Sequence, residues 1–175
     1  MNENLTCLLE LNSVDPDIFE QDLYDTLIVS TFATLVKEID FEKAWQDVKD
    51  KYRSFHDHLH VTQQIMNKYI GGTFTEQEYE RFYSLLMARL RKKSNRKLYS
   101  DSTRTMLLNS QNHRCAICGC GIDKETSELD HIVPWNLVGD ELKSNLQMLC
   151  IPCNRRKSAT TDYALLSIFL RRDIC

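Results

Sequence analysis

The chain has 175 residues, a hydrophobic fraction of 42%, a charged fraction of 27% and a formal net charge of −3. This length allows one ordinary domain, or a small domain with a separate helical partner, and the composition is that of a globular protein. No apolar run approaches the ~20 residues needed to cross a bilayer, and the stretch 1–10 lacks the basic flank and apolar core of a signal peptide. These features exclude a membrane protein, and we expect a cytoplasmic chain with no membrane partner.

The charge is distributed unevenly. Residues 1–50 carry twelve acidic and three basic side chains, a net charge of −9, whereas residues 89–104 carry seven basic side chains against Asp101 alone, a net charge of +6. In an overall acidic chain, binding of nucleic acid would depend on this local basic segment. The alternative is a solvated run of charges with no partner.

Four helices are predicted in the first half of the chain, over residues 15–39, 41–52, 58–70 and 75–90. In the first, second and fourth, apolar residues recur mostly at spacings of three and four, the period of one buried helix face. Asp15-Pro16 is typical of a helix start, Gly71-Gly72 of a helix end, and Thr75-x-x-Glu78 of a capping box. We interpret the apolar faces as core packing without a cofactor.

The second half changes character near Ser100, where we expect a domain boundary. A short helix over 103–111 leads into a cysteine-rich turn, and strands over 129–133 and 146–149 enclose a loop over 134–143. A further helix is predicted from Asn154, followed by a C-terminal helix over about 163–172. The predicted class is α+β and mostly α, with a helical region at 1–99 and a second module at 100–175.

Cys115-x-x-Cys118 and Cys150-x-x-Cys153 have the spacing of a four-ligand zinc site. The seven cysteines are an odd number, and in a reducing cytosol the paired CxxC spacing favours zinc over disulfides. Cys120 lies just past the first pair and could compete as a ligand, but the matched spacing favours Cys118. Because the enclosed loop has little core of its own, zinc would supply much of its folding free energy, a term of roughly 10–16 kcal/mol in small zinc peptides.

Residues suited to hydrolysing a phosphodiester lie between and just after the two pairs. Histidine is suited to activating water near neutral pH, which makes His131 the candidate base; the alternative is a core histidine bonded to backbone. The oxygens of Asp130 and Asn154 suit a hard ion such as Mg²⁺. On a regular strand Asp130 and His131 point to opposite sides, so a twisted or bulged strand end is required if both are to reach one site.

In combination these residues resemble the HNH endonucleases, a family with the ββα-metal fold. The resemblance covers about residues 114–158 and rests on the two cysteine pairs and on three further elements: Leu129-Asp130-His131-Ile132-Val133-Pro134, Asn145 and Asn154-x-x-Lys157. The chain is most similar to the branch with a four-cysteine zinc site, and it also resembles the HNH domain of RNA-guided CRISPR nucleases. The resemblance implies that a zinc-stabilised ββα-metal HNH module follows the helical N-terminal region.

The resemblance also implies a role for each matching residue. His131 matches the general base, Asp130 the first ligand of the catalytic metal, and Asn145 the asparagine that braces the loop and helps to orient the base. Asn154 matches the last metal ligand, where asparagine in place of histidine favours Mg²⁺ or Mn²⁺. The basic residues expected to contact phosphate, unless they form only a solvated helical turn, are Arg155, Arg156 and Lys157.

We therefore predict a metal-dependent HNH endonuclease that hydrolyses phosphodiester bonds in DNA, as the nuclease component of a bacterial restriction or anti-phage system. The acidic helical region is expected to dock a partner protein or a second copy of the chain. Two alternatives remain: a non-catalytic zinc module that binds nucleic acid or protein, and an RNA-cleaving or toxin-type nuclease. His56 and His60 could form a metal pair on one helix face, but without a supporting cluster we interpret them as helix-start or surface residues.

Overall fold

The computed structural model describes residues 2–51 and 57–161. Within these ranges the chain is mostly helical with one antiparallel pair of strands, which confirms the predicted α+β, mostly α class. The elements in chain order are α1 (Glu3–Leu11), α2 (Pro16–Glu38), α3 (Phe41–Lys51), α4 (His58–Tyr69), α5 (Glu76–Leu90), α6 (Asp101–Ser110), β1 (Ser127–His131), α7 (Trp135–Val138), β2 (Leu146–Cys150) and α8 (Ile151–Lys157). The predicted C-terminal helix over 163–172 and His56 lie outside the described residues.

The four predicted N-terminal helices are α2, α3, α4 and α5, and local signals in the sequence mark several of their ends. Asp15 accepts two backbone N–H hydrogen bonds and caps α2. The capping box of Thr75 and Glu78 at the start of α5 has both of its reciprocal bonds. α4 ends just before Gly71-Gly72, whose φ angles of 75° and 86° are incompatible with a continuing right-handed helix.

Some elements differ from the prediction in extent. β1 ends at His131, two residues earlier than expected, because the backbone of Val133 bonds to a side chain instead of a partner strand. α8 begins at Ile151 rather than at Asn154, since Pro152 is favourable in the first turn of a helix. The helix α7 occupies part of the predicted loop, and α1 was not predicted at all.

Contacts group the chain into two compact units, neither of which is one continuous stretch of sequence. Of the described residues, the first unit contains those up to Leu27, those in Lys97–Pro134 and those from Ser144 onwards; the second contains those in Ile28–Arg96 and Trp135–Lys143. The domain boundary expected near residue 100 is a statement about which parts of the chain fold independently. Grouping by contacts does not test it, and it stays a prediction.

Each unit has its own core. In the second unit Phe32 stacks on Phe41 with ring centroids 5.4 Å apart, and Phe82 meets Phe32 edge-on at 5.5 Å. In the first unit the core surrounds the strand pair and consists of four cysteines with the apolar residues Leu108, Ile117, Ile122, Met148 and Leu149. None of the helices in the described ranges has the length and apolar character needed to span a lipid bilayer.

Candidate metal centre and active site

Four cysteines converge where the strand pair meets α8. Cys115 and Cys118 lie in the turn after α6, Cys150 ends β2, and Cys153 lies in the first turn of α8. Their sulfur atoms all lie within 4.8 Å of one another, and the Sγ atoms of Cys118 and Cys150 are 3.8 Å apart. A tetrahedral zinc ion with Zn–S bonds of about 2.3 Å requires a similar sulfur separation, roughly 3.8 Å. The cluster is therefore compatible with a structural zinc ion.

Backbone hydrogen bonds hold the turn that carries the first pair. The N–H of Gly119 donates to the carbonyl of Cys115 at 2.9 Å, and Gly119 adopts a φ of 75°, where a residue without Cβ is unstrained. The N–H of Ala116 donates to the carbonyl of Met148 at 3.2 Å. The turn is thereby attached to β2, the strand that ends at the second pair.

Cys120, the competing ligand, lies close to the cluster without belonging to it. Its Sγ is 3.3 Å from that of Cys118, but it is half-buried, whereas the four clustered cysteines are buried. The grouping of the four sulfurs agrees with the choice of Cys118 from the spacing. No cysteine in the described ranges forms a disulfide, which leaves the sulfurs of the cluster able to bind a zinc ion.

Burial raises the pKa of the Cys150 thiol and of the Cys153 thiol, because desolvation penalises the thiolate. Cys153 is fully buried and Cys150 is 7% exposed. Without a metal, both groups are held as neutral thiols near neutral pH. A zinc ion must displace their protons, since the thiolate is the form that binds metal.

β1 carries Asp130 and His131 on alternate faces. The strand pairs with β2 without interruption, from Ser127 opposite Cys150 to His131 opposite Leu146, so no bulge rotates its end. Consecutive side chains of such a strand point to opposite sides. His131 is 4% exposed, and Asp130 is half-buried. The strand geometry therefore separates the imidazole from the carboxylate, the arrangement expected of a regular strand.

Two contacts join α8 to the face of β1 that carries Asp130. Glu128 and Asp130 are two positions apart on the strand, and Asn154 and Lys157 are three positions apart on the helix, so each pair shares a face. Nδ2 of Asn154 donates to a carboxylate oxygen of Glu128 at 2.5 Å, and Nζ of Lys157 lies 2.9 Å from Oδ2 of Asp130. The two candidate oxygen ligands, Asp130 and Asn154, thus lie on the strand and the helix that these contacts bring together.

Lys157 points into the protein. The side chains of Lys157 and Asp130 are only 5% and 13% exposed, and Nζ of Lys157 also donates to the carbonyl oxygen of His131 at 2.7 Å. Nε2 of Gln147 donates to the same oxygen of Asp130, Oδ2, at 2.8 Å. Because the ammonium group is engaged inside the protein, its position does not support the phosphate contact predicted for Lys157. The basic neighbours that are exposed, as that role requires, are Arg155 and Arg156.

Asn145 closes the loop between the two strands. Its side chain is buried, with Oδ1 accepting from the N–H of Val133 at 2.7 Å and Nδ2 donating to the carbonyl of Val133 at 2.9 Å. Its own carbonyl accepts from the N–H of Ile132 at 3.0 Å. These three bonds hold the two residues that directly follow His131, a position from which Asn145 can brace the loop.

The imidazole of His131 lies beside the ring of Tyr99. The ring centroids are 6.1 Å apart and the planes are inclined by 61°, an edge-to-face contact. Tyr99 immediately precedes Ser100, the N-cap of α6. The ring of His131 therefore contacts a residue more than thirty positions earlier in the chain, and the backbone carbonyl of His131 accepts a hydrogen bond from Lys157 in α8.

Three contacts of the candidate site were not identified from the sequence. Glu128 had a signal, because it shares a strand face with Asp130. Gln147 faces Asp130 only once the register of β1 against β2 is known. Tyr99 is remote in sequence and had no local signal.

A four-cysteine cluster that joins two antiparallel strands to a short helix defines a ββα module whose cysteines are compatible with a structural zinc ion. Residues 115–160 match the HNH endonuclease family, so the chain contains an HNH endonuclease domain. The match includes both cysteine pairs, β1, β2 and α8. No curated protein and no solved structure matches the chain. The family indicates a nuclease-type function and a nucleic-acid substrate in general.

Proposed function

We propose that the chain is a metal-dependent endonuclease that hydrolyses phosphodiester bonds in DNA. The observation that carries the proposal is the placement of Asp130 on β1 and Asn154 on the contacting helix α8, inside the segment that matches the HNH family. A zinc module that only bound nucleic acid or protein would have no need of a carboxylate and an amide held in this way.

The oxygens of Asp130 and Asn154 fit a hard divalent ion, which we assign as Mg²⁺ or Mn²⁺. The bond from Nδ2 of Asn154 to Glu128 orients the amide, and we assign the amide oxygen as a ligand. Lys157 and Gln147 both contact Oδ2 of Asp130, so we assign Oδ1 as the second ligand. When bound, such an ion polarises a phosphate oxygen and stabilises the leaving oxygen.

We assign His131 as the base that takes a proton from the attacking water. In-line displacement places the attacking and leaving oxygens on opposite sides of phosphorus. The base and the ion must therefore both reach one phosphate, and we place that phosphate at the end of β1, where His131 is the last residue of the strand. We assign Lys157 a positioning role, since it bonds the carbonyl of His131 and the carboxylate of Asp130 at once.

The remaining predicted residues act around this centre. Asn145 fixes the segment after His131, which limits the movement of the base. Arg155 and Arg156 follow Asn154 on α8 with exposed side chains, and guanidinium groups donate well to the non-bridging oxygens of a phosphate. We propose these two arginines as the phosphate contacts of the site.

Nicking of supercoiled plasmid by the zinc-loaded chain with Mg²⁺ or Mn²⁺ tests the proposal. His131→Ala should slow nicking by at least about a hundredfold, the usual lower range for loss of a general base. His113→Ala is the matched control, because His113 is exposed and bonds Asn109 away from the site, and it should nick like wild type. A folded wild-type chain that nicks with neither metal would favour the non-catalytic zinc module. Faster cleavage of RNA than of DNA would favour the RNA-cleaving alternative.

The biological setting that we propose is a bacterial restriction or anti-phage system, with this chain as its cytoplasmic nuclease component. Expression in a phage-sensitive strain should lower the plating efficiency of the phage, and His131→Ala should abolish the protection. Equal protection by both proteins would contradict a role for the nuclease site.

We propose that the acidic helical region contacts protein, since residues 1–50 carry a net charge of −9 that repels phosphate. Several apolar side chains of α1 and α2 are exposed, namely Leu5, Leu8, Leu11, Ile18, Tyr24 and Leu27. The protein bound by this region is either a second copy of the chain or a different partner. Light scattering on the purified chain distinguishes the two, because a dimer indicates a second copy and a monomer that co-purifies with another protein indicates a partner. A monomer that captures nothing would contradict both.

A further inference from the structure

The second unit carries a concentration of positive charge beside an aromatic ring. The end of α5 and the segment after it hold five basic residues and no acidic one between positions 89 and 96. We name the basic surface as Arg91, Lys92, Lys93, Arg96 and the ring of Trp135, the first residue of α7. Arg91, Lys93 and Arg96 are exposed, while Lys92 and Trp135 are half-buried.

Arg89 attaches this segment to α7. Its Nη1 donates to the carbonyl oxygens of Asn136 and Leu137 at 3.1 and 3.3 Å. These carbonyls belong to a helix of four residues, in which the last carbonyls have no partner within the helix. Arg89 is therefore engaged in holding α7 against α5, and we leave it out of the basic surface.

Trp135 orders two of the cations. Nζ of Lys92 lies 4.4 Å from the ring centroid and Cζ of Arg96 lies 5.5 Å from it, both within the range of cation–π attraction. Nε1 of Trp135 donates to Asp140 at 2.8 Å, which fixes the indole. Gly139 allows the close packing, since a Cβ there would lie 2.9 Å from Cγ of Lys92.

Cations held in place in this way lose less conformational freedom when they bind an anion. Exposed cations are complementary to the phosphates of a nucleic acid, and Arg91, Lys93 and Arg96 are exposed. Asp140 reduces the net charge of the surface but does not reverse it, because the surface carries four cations, two of which lie near the ring. Because Lys92 and Arg96 already engage the indole, it serves to position charge and does not offer a face for base stacking.

We propose that the basic surface binds the sugar–phosphate backbone of duplex DNA without sequence preference. This inference rests on the proposed function, because it assigns the surface that holds the substrate of the same nuclease. The sequence indicated the basic segment over 89–104, but the contribution of Trp135 was not evident, because no aromatic residue interrupts the run from Arg89 to Lys97.

Fluorescence anisotropy with a labelled DNA duplex and the full, zinc-loaded chain tests the inference when Mg²⁺ and Mn²⁺ are omitted, so that nothing is cut. Arg91→Gln with Lys93→Gln should weaken binding and flatten the slope of log K against log salt by about 2, roughly 0.9 for each lost phosphate contact. Lys43→Gln with Lys49→Gln is the matched control, since both lysines are exposed on α3 and the charge change is equal. The control should keep the wild-type slope.

A second pair of variants tests the ring. Trp135→Leu removes the surface on which Lys92 and Arg96 lie and should weaken binding, whereas Trp135→Phe keeps an aromatic face and should retain most of the affinity. Circular dichroism identifies a loss of fold, and a variant that fails there is replaced by Lys92→Gln with Arg96→Gln. The same slope for the Arg91/Lys93 variant and its control would overturn the inference, as would tighter binding of an RNA duplex than of the DNA duplex.

The outcomes for the surface and for the nuclease are separable. Plasmid nicking by wild type with unchanged binding in the surface variants would overturn the surface and leave the nuclease standing. DNA binding that depends on the basic surface, without nicking under any metal, would overturn the nuclease and leave the surface standing.

Discussion

Replacement of Asn145 by alanine should strongly destabilise the loop between β1 and β2. The side chain of Asn145 is 4% exposed and supplies both hydrogen-bond partners of the Val133 backbone, at 2.7 and 2.9 Å. Val133 is itself 2% exposed, so water does not readily replace the lost partners. The bond from the N–H of Ile132 goes to the backbone carbonyl of Asn145 and survives the substitution.

The magnitude follows from the two backbone groups. A buried donor or acceptor left without a partner costs about 1–3 kcal/mol, so two of them should lower the free energy of unfolding by about 2–6 kcal/mol. That is a large fraction of the ~5–15 kcal/mol of a typical domain. Asn145→Asp should recover only part of the loss, because a carboxylate accepts from the N–H of Val133 but repels its carbonyl oxygen.

Urea unfolding of the zinc-saturated chain, followed by circular dichroism, measures the effect. Asn136→Ala is the matched control, since Asn136 is exposed and its contact with Arg89 uses the backbone carbonyl. A loss below ~1 kcal/mol for Asn145→Ala, with an unchanged denaturant slope, would refute the reasoning that this side chain holds the end of β1.

Three further outcomes are expected. Lys157→Met should lower the free energy of unfolding by about 3–5 kcal/mol in urea titrations, because it leaves the charge of the Asp130 carboxylate uncompensated. Adding Asp130→Asn should recover part of this loss, so effects of the two substitutions that simply add would contradict the coupling. The control Lys124→Met, at an exposed position, should cost little. Burial raises the pKa of the Cys150 and Cys153 thiols, so the folded metal-free chain keeps protons that the unfolded chain releases above about pH 8.5. The free energy of unfolding of the metal-free chain should therefore fall as the pH rises above that value, by up to about 1.4 kcal/mol per pH unit for each thiol. Zinc affinity, measured by competition with a chromophoric chelator, should rise over the same pH range, since binding displaces those protons. A stability and a zinc affinity that do not change with pH would contradict these two predictions. Arg155→Gln with Arg156→Gln should raise KM for plasmid nicking; a wild-type KM would remove both arginines from the substrate contacts.

The parts of the fold that were predicted from the sequence depend on neighbours along the chain. The capping box of Thr75 and Glu78 and the stop at Gly71-Gly72 act within a few residues, and both are present as predicted. The four-cysteine cluster was predictable for a related reason, because each CxxC turn presents two sulfurs by local geometry and the matched spacing distinguishes Cys118 from Cys120. The helix α1 was missed, although it has a local start signal in its N-cap residue Asn2, whose side chain accepts a hydrogen bond from the N–H of Asn4.

The limits of β1 depended on contacts made across the fold. The apolar pattern predicted a strand through Val133, but the strand ends at His131 because Asn145 takes the backbone groups of Val133. The side chains of Asp130 and His131 then alternate as in any regular strand. The sequence alone did not decide whether the end of this strand is regular, twisted or bulged.

Burial of charge is the property that only the tertiary structure settled. By sequence, Lys157 is one of three consecutive basic residues and equivalent to Arg155 and Arg156 as a phosphate contact. The turn of α8 directs Lys157 alone onto β1, where Asp130 and the carbonyl of His131 engage it. In the same way, Trp135 is separated from Lys92 by more than forty residues and becomes its neighbour only through packing of α7 against the end of α5. The kinds of chemistry available to this protein were thus readable from residue types and local spacing, whereas the partner of each charged group depends on contacts distant in sequence, which local patterns do not encode.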